Sequence, residues 1–132
     1  MIDLKYFKLT NLHQFYRWYF HEKFEEAQYN FIRSLAAYSI FSYLFAIKDR
    51  HNGNIMIDRS GHIIHIDFGF MFQNYPGGVN FESAPFKLTQ EYIDLMDGPE
   101  SDKFELFKSL IVRGLIEVRN NLDDLLSFIT IM

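Results

Sequence analysis

Ile47-Lys48-Asp49-Arg50-His51-Asn52-Gly53-Asn54-Ile55-Met56-Ile57-Asp58-Arg59-Ser60-Gly61-His62-Ile63-Ile64-His65-Ile66-Asp67-Phe68-Gly69-Phe70 is the segment around which the whole chain is arranged. Two short β-branched runs flank a polar turn containing glycine, which predicts an antiparallel hairpin. With the turn at Arg59 to His62, Asn54 falls opposite Asp67 at the open end. Alternation then gives Ile55, Ile57, Ile64 and Ile66 one face, and Asn54, Met56, His65 and Asp67 the other. The isoleucine face is expected to lie on a helix.

Ladder partners sit about 4.5–5.5 Å apart at Cα. A carboxylate and an amide oxygen at that separation suit one Mg²⁺, a hard cation that takes oxygen ligands and keeps several waters. Asp49, Arg50 and His51 come shortly before Asn54, so acid/base candidates reach the same end. Protein kinases place an Asp five residues before an Asn, ahead of Asp-Phe-Gly, with His-Arg-Asp leading. Here the order is Asp-Arg-His, which disfavours an ordinary protein kinase while keeping the layout of a phosphoryl-transfer site. A lone Asp-Phe-Gly or Asp-Arg-His is only a turn with solvated charges; the ordered combination carries the signal.

The blocks Ile47 to Met56 and Gly61 to Phe70 resemble the catalytic and metal-binding loops of the phosphatidylinositol 3- and 4-kinase superfamily. Lys48, Gly53 and Phe86-Lys87-Leu88-Thr89 are similar to its type III phosphatidylinositol 4-kinase branch. Phe81-Glu82-Ser83 and the closing stretch from Gly114 to Met132 resemble the beta form within it. The resemblance runs from about Phe24 to Met132, with a looser match before it.

The resemblance implies an α+β fold: the mostly helical C-lobe of a protein-kinase-like catalytic domain, with a small antiparallel β-hairpin carrying the active site. It implies transfer of the ATP γ-phosphate to the 4-hydroxyl of phosphatidylinositol at a membrane surface. Asn54 and Asp67 would hold Mg²⁺ or Mn²⁺. His51 would accept the hydroxyl proton, because an imidazole titrates near the working pH. Asp49 would orient the loop or serve as the base instead, and Arg50 would brace it. Met56 and Ile66 would line the ATP site, although alternation places Ile66 on the opposite face. Phe68, Gly69 and Lys87 would bound the substrate-facing activation loop. A phosphatidylinositol-kinase-related protein kinase, a phosphoinositide 3-kinase and an inactive fragment or scaffold remain alternatives.

Composition sets bounds on these readings. The 132 residues suit one domain with a modest core. Fifteen Phe and eight Tyr supply ample core volume. There is no Cys, hence no disulfide framework or thiolate metal site. A net charge of −4 with scattered Lys and Arg disfavours nucleic acid as a partner. No long uncharged apolar run is present, so a membrane is expected to be met peripherally, from the cytoplasmic side of intracellular, Golgi-like membranes by resemblance.

Along the chain, Thr10 or Asn11 is placed to cap a short helix to about Phe20. A long helix is expected from Glu22 or Lys23 to Ile47, apolar on most sides from Phe31 onward and therefore buried all round, with Tyr43 on its second apolar face. His62 and His65 lack a partner at metal-ligand spacing and are read as structural. Met71 to Phe86 reads as a loop. Thr89 caps a helix through Met96, and Ser101 caps another to about Arg119 with Phe104, Phe107, Leu110, Ile111, Leu115 and Val118 inward. Asn121 is expected to cap a third. Neither a Gly-rich phosphate loop nor a convincing phosphate-binding Lys occurs, so the chain is expected to be a partial catalytic domain. The N-lobe of a parent kinase and a C-terminal helix are expected to lie outside it.

Overall fold

The computed structural model describes residues 11–45, 55–66 and 88–131. In chain order these form α1 (Leu12–Phe20), a 3-10 turn (His21–Lys23), α2 (Phe24–Leu44), β1 (Ile55–Ile57), β2 (Ile63–His65), α3 (Gln90–Leu95), α4 (Asp102–Asn120) and α5 (Leu122–Ile131). The described architecture is mostly helical with one two-stranded antiparallel sheet. Asp49, Arg50, His51, Asn54, Asp67, Phe68, Gly69 and Lys87, and the expected loop from Met71 to Phe86, lie outside the described residues.

Side-chain caps set most of the helix starts. The Asn11 side chain accepts from the Gln14 N–H, Thr89 from Tyr92, and Ser101 from Phe104. Each satisfies one of the orphan donors of a first helical turn. Asn121 stands between two helices, its carbonyl accepting from the Leu125 N–H in the first turn of α5. Its Nδ2 donates to the Glu117 carbonyl at 2.8 Å, so its side chain closes the end of α4. The amide reaches back because α4 ends there, with the Asn121 N–H also bonded to Glu117 O.

α2 is the central element. It packs against α4, α1 and β2, while α1 also meets α3. The core joins Phe15, Tyr16 and Phe20 of α1 to Ala27, Phe31, Ile32, Leu35 and Ala36 of α2. Ile63, Leu95, Met96 and Phe107 complete it. Phe31 sits edge-on to both Tyr16 and Tyr92, with ring centroids 5.8 and 5.4 Å away. Such aromatic pairs add about 0.5–1.5 kcal/mol beyond the area they bury.

α2 is not covered on all sides, however. Arg33 and Ala37 are exposed and Tyr43 is 57 % exposed. These positions face away from the inward stripe at Phe31, Leu35, Ser39 and Ser42. Leu115 of α4 is likewise exposed, whereas Phe107 is buried and Phe104, Leu110 and Ile111 pack against the core. α4 is therefore inward-facing mainly in its first half. Among the described residues no helix is long and apolar enough to cross a membrane.

A polar tie sets how α2 meets the α3–α4 turn. Gln28 is buried, and its Nε2 donates to Leu95 O at 2.9 Å and Asp97 Oδ1 at 3.0 Å. Lys103 Nζ holds the other Asp97 oxygen at 3.0 Å. Burial raises the Asp97 pKa, but the Lys103 and Gln28 hydrogen bonds outweigh it and hold the carboxyl below its ordinary value. Asp97 and Gly98 both take positive φ, 67° and 100°, as α3 ends.

The hairpin register pairs Ile55 with His65, Met56 with Ile64, and Ile57 with Ile63. It is one residue away from the register expected from sequence, which opposed Asn54 to Asp67. The connecting loop has three residues, Arg59-Ser60-Gly61, because Asp58 and His62 already pair: the Asp58 N–H donates to His62 O at 2.9 Å. Gly61, at φ 94°, donates its N–H to Asp58 O, the pattern of a turn followed by a glycine bulge.

Two glycines with positive φ separate a backbone requirement from a packing requirement. A Cβ at Gly61 would lie 2.8 Å from both Ala27 Cβ and the Ala27 carbonyl oxygen, whereas one at Gly98 meets nothing within 4 Å. Gly61→Ala therefore combines backbone strain with a backbone clash and is expected to cost about 2–4 kcal/mol. Gly98→Ala carries the conformational term alone, about 1–2 kcal/mol. Urea denaturation of the two variants beside the parent chain measures the difference; equal losses would remove the packing role assigned to Gly61.

Candidate functional site

The observed register decides which side chains share a face. Partners in a ladder point the same way, so Ile55, Ile57, Ile63 and His65 lie on one side. Ile63 and His65 are buried there, and Ile55 and Ile57 are partly buried against the core. His65 stacks on Tyr38 of α2 with centroids 4.3 Å apart and planes 18° off parallel. Met56 and Ile64 occupy the other side, and Ile66, just past β2, follows by alternation. All three are 38 % exposed.

The face assignment from sequence is thereby corrected. Ile64 and Ile66 belong with Met56 on the open side, and His65 belongs on the helix side. The one-residue change in loop length moves every β2 side chain to the opposite face. Met56 and Ile66, which alternation had separated, now fall on the same face, and Ile64 joins them.

Asp58 organises the turn. Its Oδ1 accepts from the Ser60 N–H at 2.8 Å and the His62 N–H at 2.9 Å, and its Oδ2 lies 2.9 Å from His62 Nδ1. Desolvation pushes this carboxyl up, but the Ser60 and His62 backbone donors and the His62 ring hold it below its ordinary value. His62 is thus engaged within the turn.

The sequence reading missed the residues that seat this turn. Tyr16 Oη donates to Gly61 O at 2.7 Å, Asn30 Nδ2 donates to Ser60 O at 2.8 Å, and Ser34 Oγ accepts from the Ile63 N–H at 2.9 Å. Burial, foremost, raises the Tyr16 pKa well above the ordinary phenol value, so the hydroxyl keeps the proton it donates. The signal that could have given the register is Asp58-Arg59-Ser60-Gly61, an Asx-type turn with glycine at its third loop position.

Among the described residues no group of three His, Asp or Glu side chains is placed to hold a metal ion. Asp58 and His62 make a turn, and the carboxylates of Asp94 and Asp97 are bonded to Gln90 and to Gln28 with Lys103. The described part of the candidate site is thus an apolar two-stranded floor. The strand ends lead towards Asn54 and Asp67, both outside the described residues.

Comparison with known proteins identifies the family. The family model described as phosphatidylinositol 3- and 4-kinase matches residues 4–132, and the chain belongs to that family. The match extends nearer the N-terminus than the resemblance read from about Phe24. A Dictyostelium discoideum phosphatidylinositol 4-kinase is 61 % identical over 83 % of this chain and 9 % of its own length. Phosphatidylinositol 4-kinase beta 2 of Arabidopsis thaliana is 46 % identical over 99 % of this chain and 12 % of its own. The beta enzyme of Xenopus laevis is 48 % identical over 84 % and 14 % respectively. The chain spans between 9 and 14 % of the length of these relatives.

The depressed Asp58 pKa fixes a pH dependence for the turn. A carboxyl lowered in the folded state contributes its stability above its unfolded pKa and loses it as pH falls through the lower, folded value. Protection of the Ser60 and His62 amides, taken relative to their intrinsic exchange rate at each pH, is therefore expected to fall on the acid side of the ordinary carboxylate range. Asp58→Asn keeps an acceptor for both amides and is expected to abolish that acid limb. An unchanged pH profile in Asp58→Asn would show that another group titrates the turn.

Proposed function

We propose that this chain forms most of the C-lobe of a phosphatidylinositol 4-kinase, moving the γ-phosphate of ATP to the 4-hydroxyl of phosphatidylinositol. The supporting observation is the family match across residues 4–132, within which Asp49-Arg50-His51-Asn52-Gly53-Asn54 and Asp67-Phe68-Gly69 flank the hairpin. The 4-position and the beta-like character rest on the relatives named above.

In this reading the exposed Met56–Ile64–Ile66 face is the floor of the nucleotide site. An apolar floor accepts the adenine ring and excludes water, and the polar chemistry gathers at the strand ends. The donor set of Asn54 and Asp67, one amide oxygen and one carboxylate, suits Mg²⁺ or Mn²⁺. The ion would neutralise charge on the phosphates. His51 accepts the proton from the inositol hydroxyl as that oxygen attacks the γ-phosphorus and ADP leaves. Asp49 orients the loop or takes the proton in its place, and Arg50 braces it through an ion pair.

From Phe68 and Gly69 to Lys87 the loop faces the lipid. It has no Lys or Arg between Asp67 and Lys87, and Glu82 adds a negative charge. Extra ring phosphates call for charge-assisted donors, so unphosphorylated phosphatidylinositol is the preferred substrate over its bisphosphate. The enzyme meets its substrate peripherally at a cytoplasmic, Golgi-like membrane surface. The glycine-rich loop and phosphate-binding Lys come from an N-lobe outside these residues.

A chimaera in which residues 1–132 replace the matching segment of the Arabidopsis enzyme tests the assignment. Asp67→Asn and Asn54→Ala are each expected to lower its turnover on phosphatidylinositol at least 100-fold, roughly the scale on which removing a transition-state charge partner acts. Near-normal turnover of Asp67→Asn at saturating Mg²⁺ would sink it, as would a preference of the unsubstituted chimaera for the bisphosphate.

Residues 1–132 by themselves are expected neither to bind Mg²⁺-ATP tightly nor to turn it over. Half a cleft leaves the phosphates in water, where electrostatic stabilisation is weak. Calorimetry and a radiolabelled lipid assay check this. Micromolar binding by the chain alone would place the phosphate-binding groups inside it.

A further inference from the structure

Three side chains that take no part in the proposed chemistry grip the hairpin from two helices. Tyr16 of α1 holds Gly61 O, and Asn30 and Ser34 of α2 hold Ser60 O and the Ile63 N–H. The Ile63 contact is the most informative. Asp58 and His62 form a hydrogen-bonded pair, so the alternation of an antiparallel ladder makes Met56 and Ile64 the next bonded pair. The intervening Ile63 N–H points out of the ladder, and Ser34 Oγ supplies the acceptor that the sheet edge lacks. The Ser34 hydroxyl proton has its own acceptors in Asn30 O and Phe31 O, at 2.8 and 3.0 Å. Tyr16 is fully buried and Gly61 rests on Ala27, so the turn has little freedom to rise from the helices.

We propose that Tyr16, Asn30 and Ser34 are positioning residues for nucleotide binding: they fix the register and height of the hairpin, and so present Met56, Ile64 and Ile66 as one floor. A slip of one residue at β2 would take the Ile63 N–H away from Ser34 and turn Ile64 and Ile66 inward. This inference rests on the reading of that face as the nucleotide floor.

A merely structural role predicts a different signature. If these contacts only stabilised the fold, their loss would reduce the fraction of competent molecules, lowering binding stoichiometry and kcat at an unchanged Kd. Displacing the floor instead weakens Kd at constant stoichiometry. In the chimaera described above, Tyr16→Phe and Ser34→Ala are each expected to weaken Mg²⁺-ATP affinity about three- to tenfold by calorimetry, the scale of one net hydrogen bond. Ser34→Thr, which keeps the acceptor, is expected to restore it.

On residues 1–132, NMR is expected to show faster exchange at the Ile63 amide and a weaker Met56–Ile64 cross-strand contact in Ser34→Ala. Unchanged Kd with reduced stoichiometry in both variants would overturn the proposal. So would unaltered Ile63 exchange in Ser34→Ala. Tyr16→Phe preserves ring packing and keeps the test open should Ser34→Ala fold poorly. Nucleotide affinity is measured without lipid, so a chimaera that binds ATP but leaves phosphatidylinositol unmodified would count against the lipid-kinase reading and not against the clamp.

Discussion

The contact of Gly61 with Ala27 constrains the rest of the described structure. A turn backbone reaches the backbone of α2 only where one partner has no Cβ and the other has a methyl. Here the space for a Cβ at Gly61 is already taken by the Ala27 methyl and carbonyl. From this seat, the Tyr16 hydroxyl and the Asn30 amide reach the turn carbonyls, and Ser34 meets the strand edge one helical turn along. The strands then lie with Ile63 and His65 against α2, the latter stacked on Tyr38. The location of the hairpin is thus determined by small residues, and its register by polar ones.

Energy and specificity come from different residues. The aromatic cluster of Phe15, Tyr16, Phe20 and Phe31 supplies apolar burial, which is large but indifferent to small rotations of the elements. Polar groups such as Gln28 choose among those rotations. A buried amide left without acceptors costs about 1–3 kcal/mol, so α2 is held where Leu95 O and Asp97 can receive its protons. The same logic governs two points along α2: Gln28 near its start orients the α3–α4 turn, and Ser34 near its middle orients the sheet.

Much of this was legible in the sequence because local chemistry carried it. Asn11, Thr89 and Ser101 are good N-caps wherever they precede an amphipathic run, and each caps the helix expected of it. The hairpin was legible from isoleucine alternation. Its register was not, because the pattern Ile55-x-Ile57 and Ile63-Ile64-x-Ile66 admits two alignments with an isoleucine on the helix side of each strand. What separates them is tertiary: His65 is tolerated inside because Tyr38 stacks on it, and Gly61 is required at the bulge because Ala27 lies beneath. Tyr43 and Leu115 show the opposite failure. Both are apolar at helical spacing, yet no described element covers them, and periodicity alone does not say how far a neighbour extends. The blocks read as candidate catalytic and metal-binding motifs rest on ordered residue types alone. Asp49 to Asn54 and Asp67 to Gly69 lie outside the described residues.

One residue of loop length therefore links the local turn to the proposed chemistry. A four-residue turn would set Asn54 against Asp67 and divide Met56 from Ile66. The three-residue loop, with Asp58 closing on the Ser60 and His62 amides, keeps Met56, Ile64 and Ile66 on a common apolar face. If an adenine ring rests on that face, a continuous apolar strip serves it better than an alternating one, because an interposed imidazole would demand a hydrogen-bond partner or water under the base. Burying His65 against Tyr38 removes that demand from the open side. The carboxyl of Asp58, held below its ordinary value by the turn amides and the His62 ring, anchors the three-residue loop on which that common face depends.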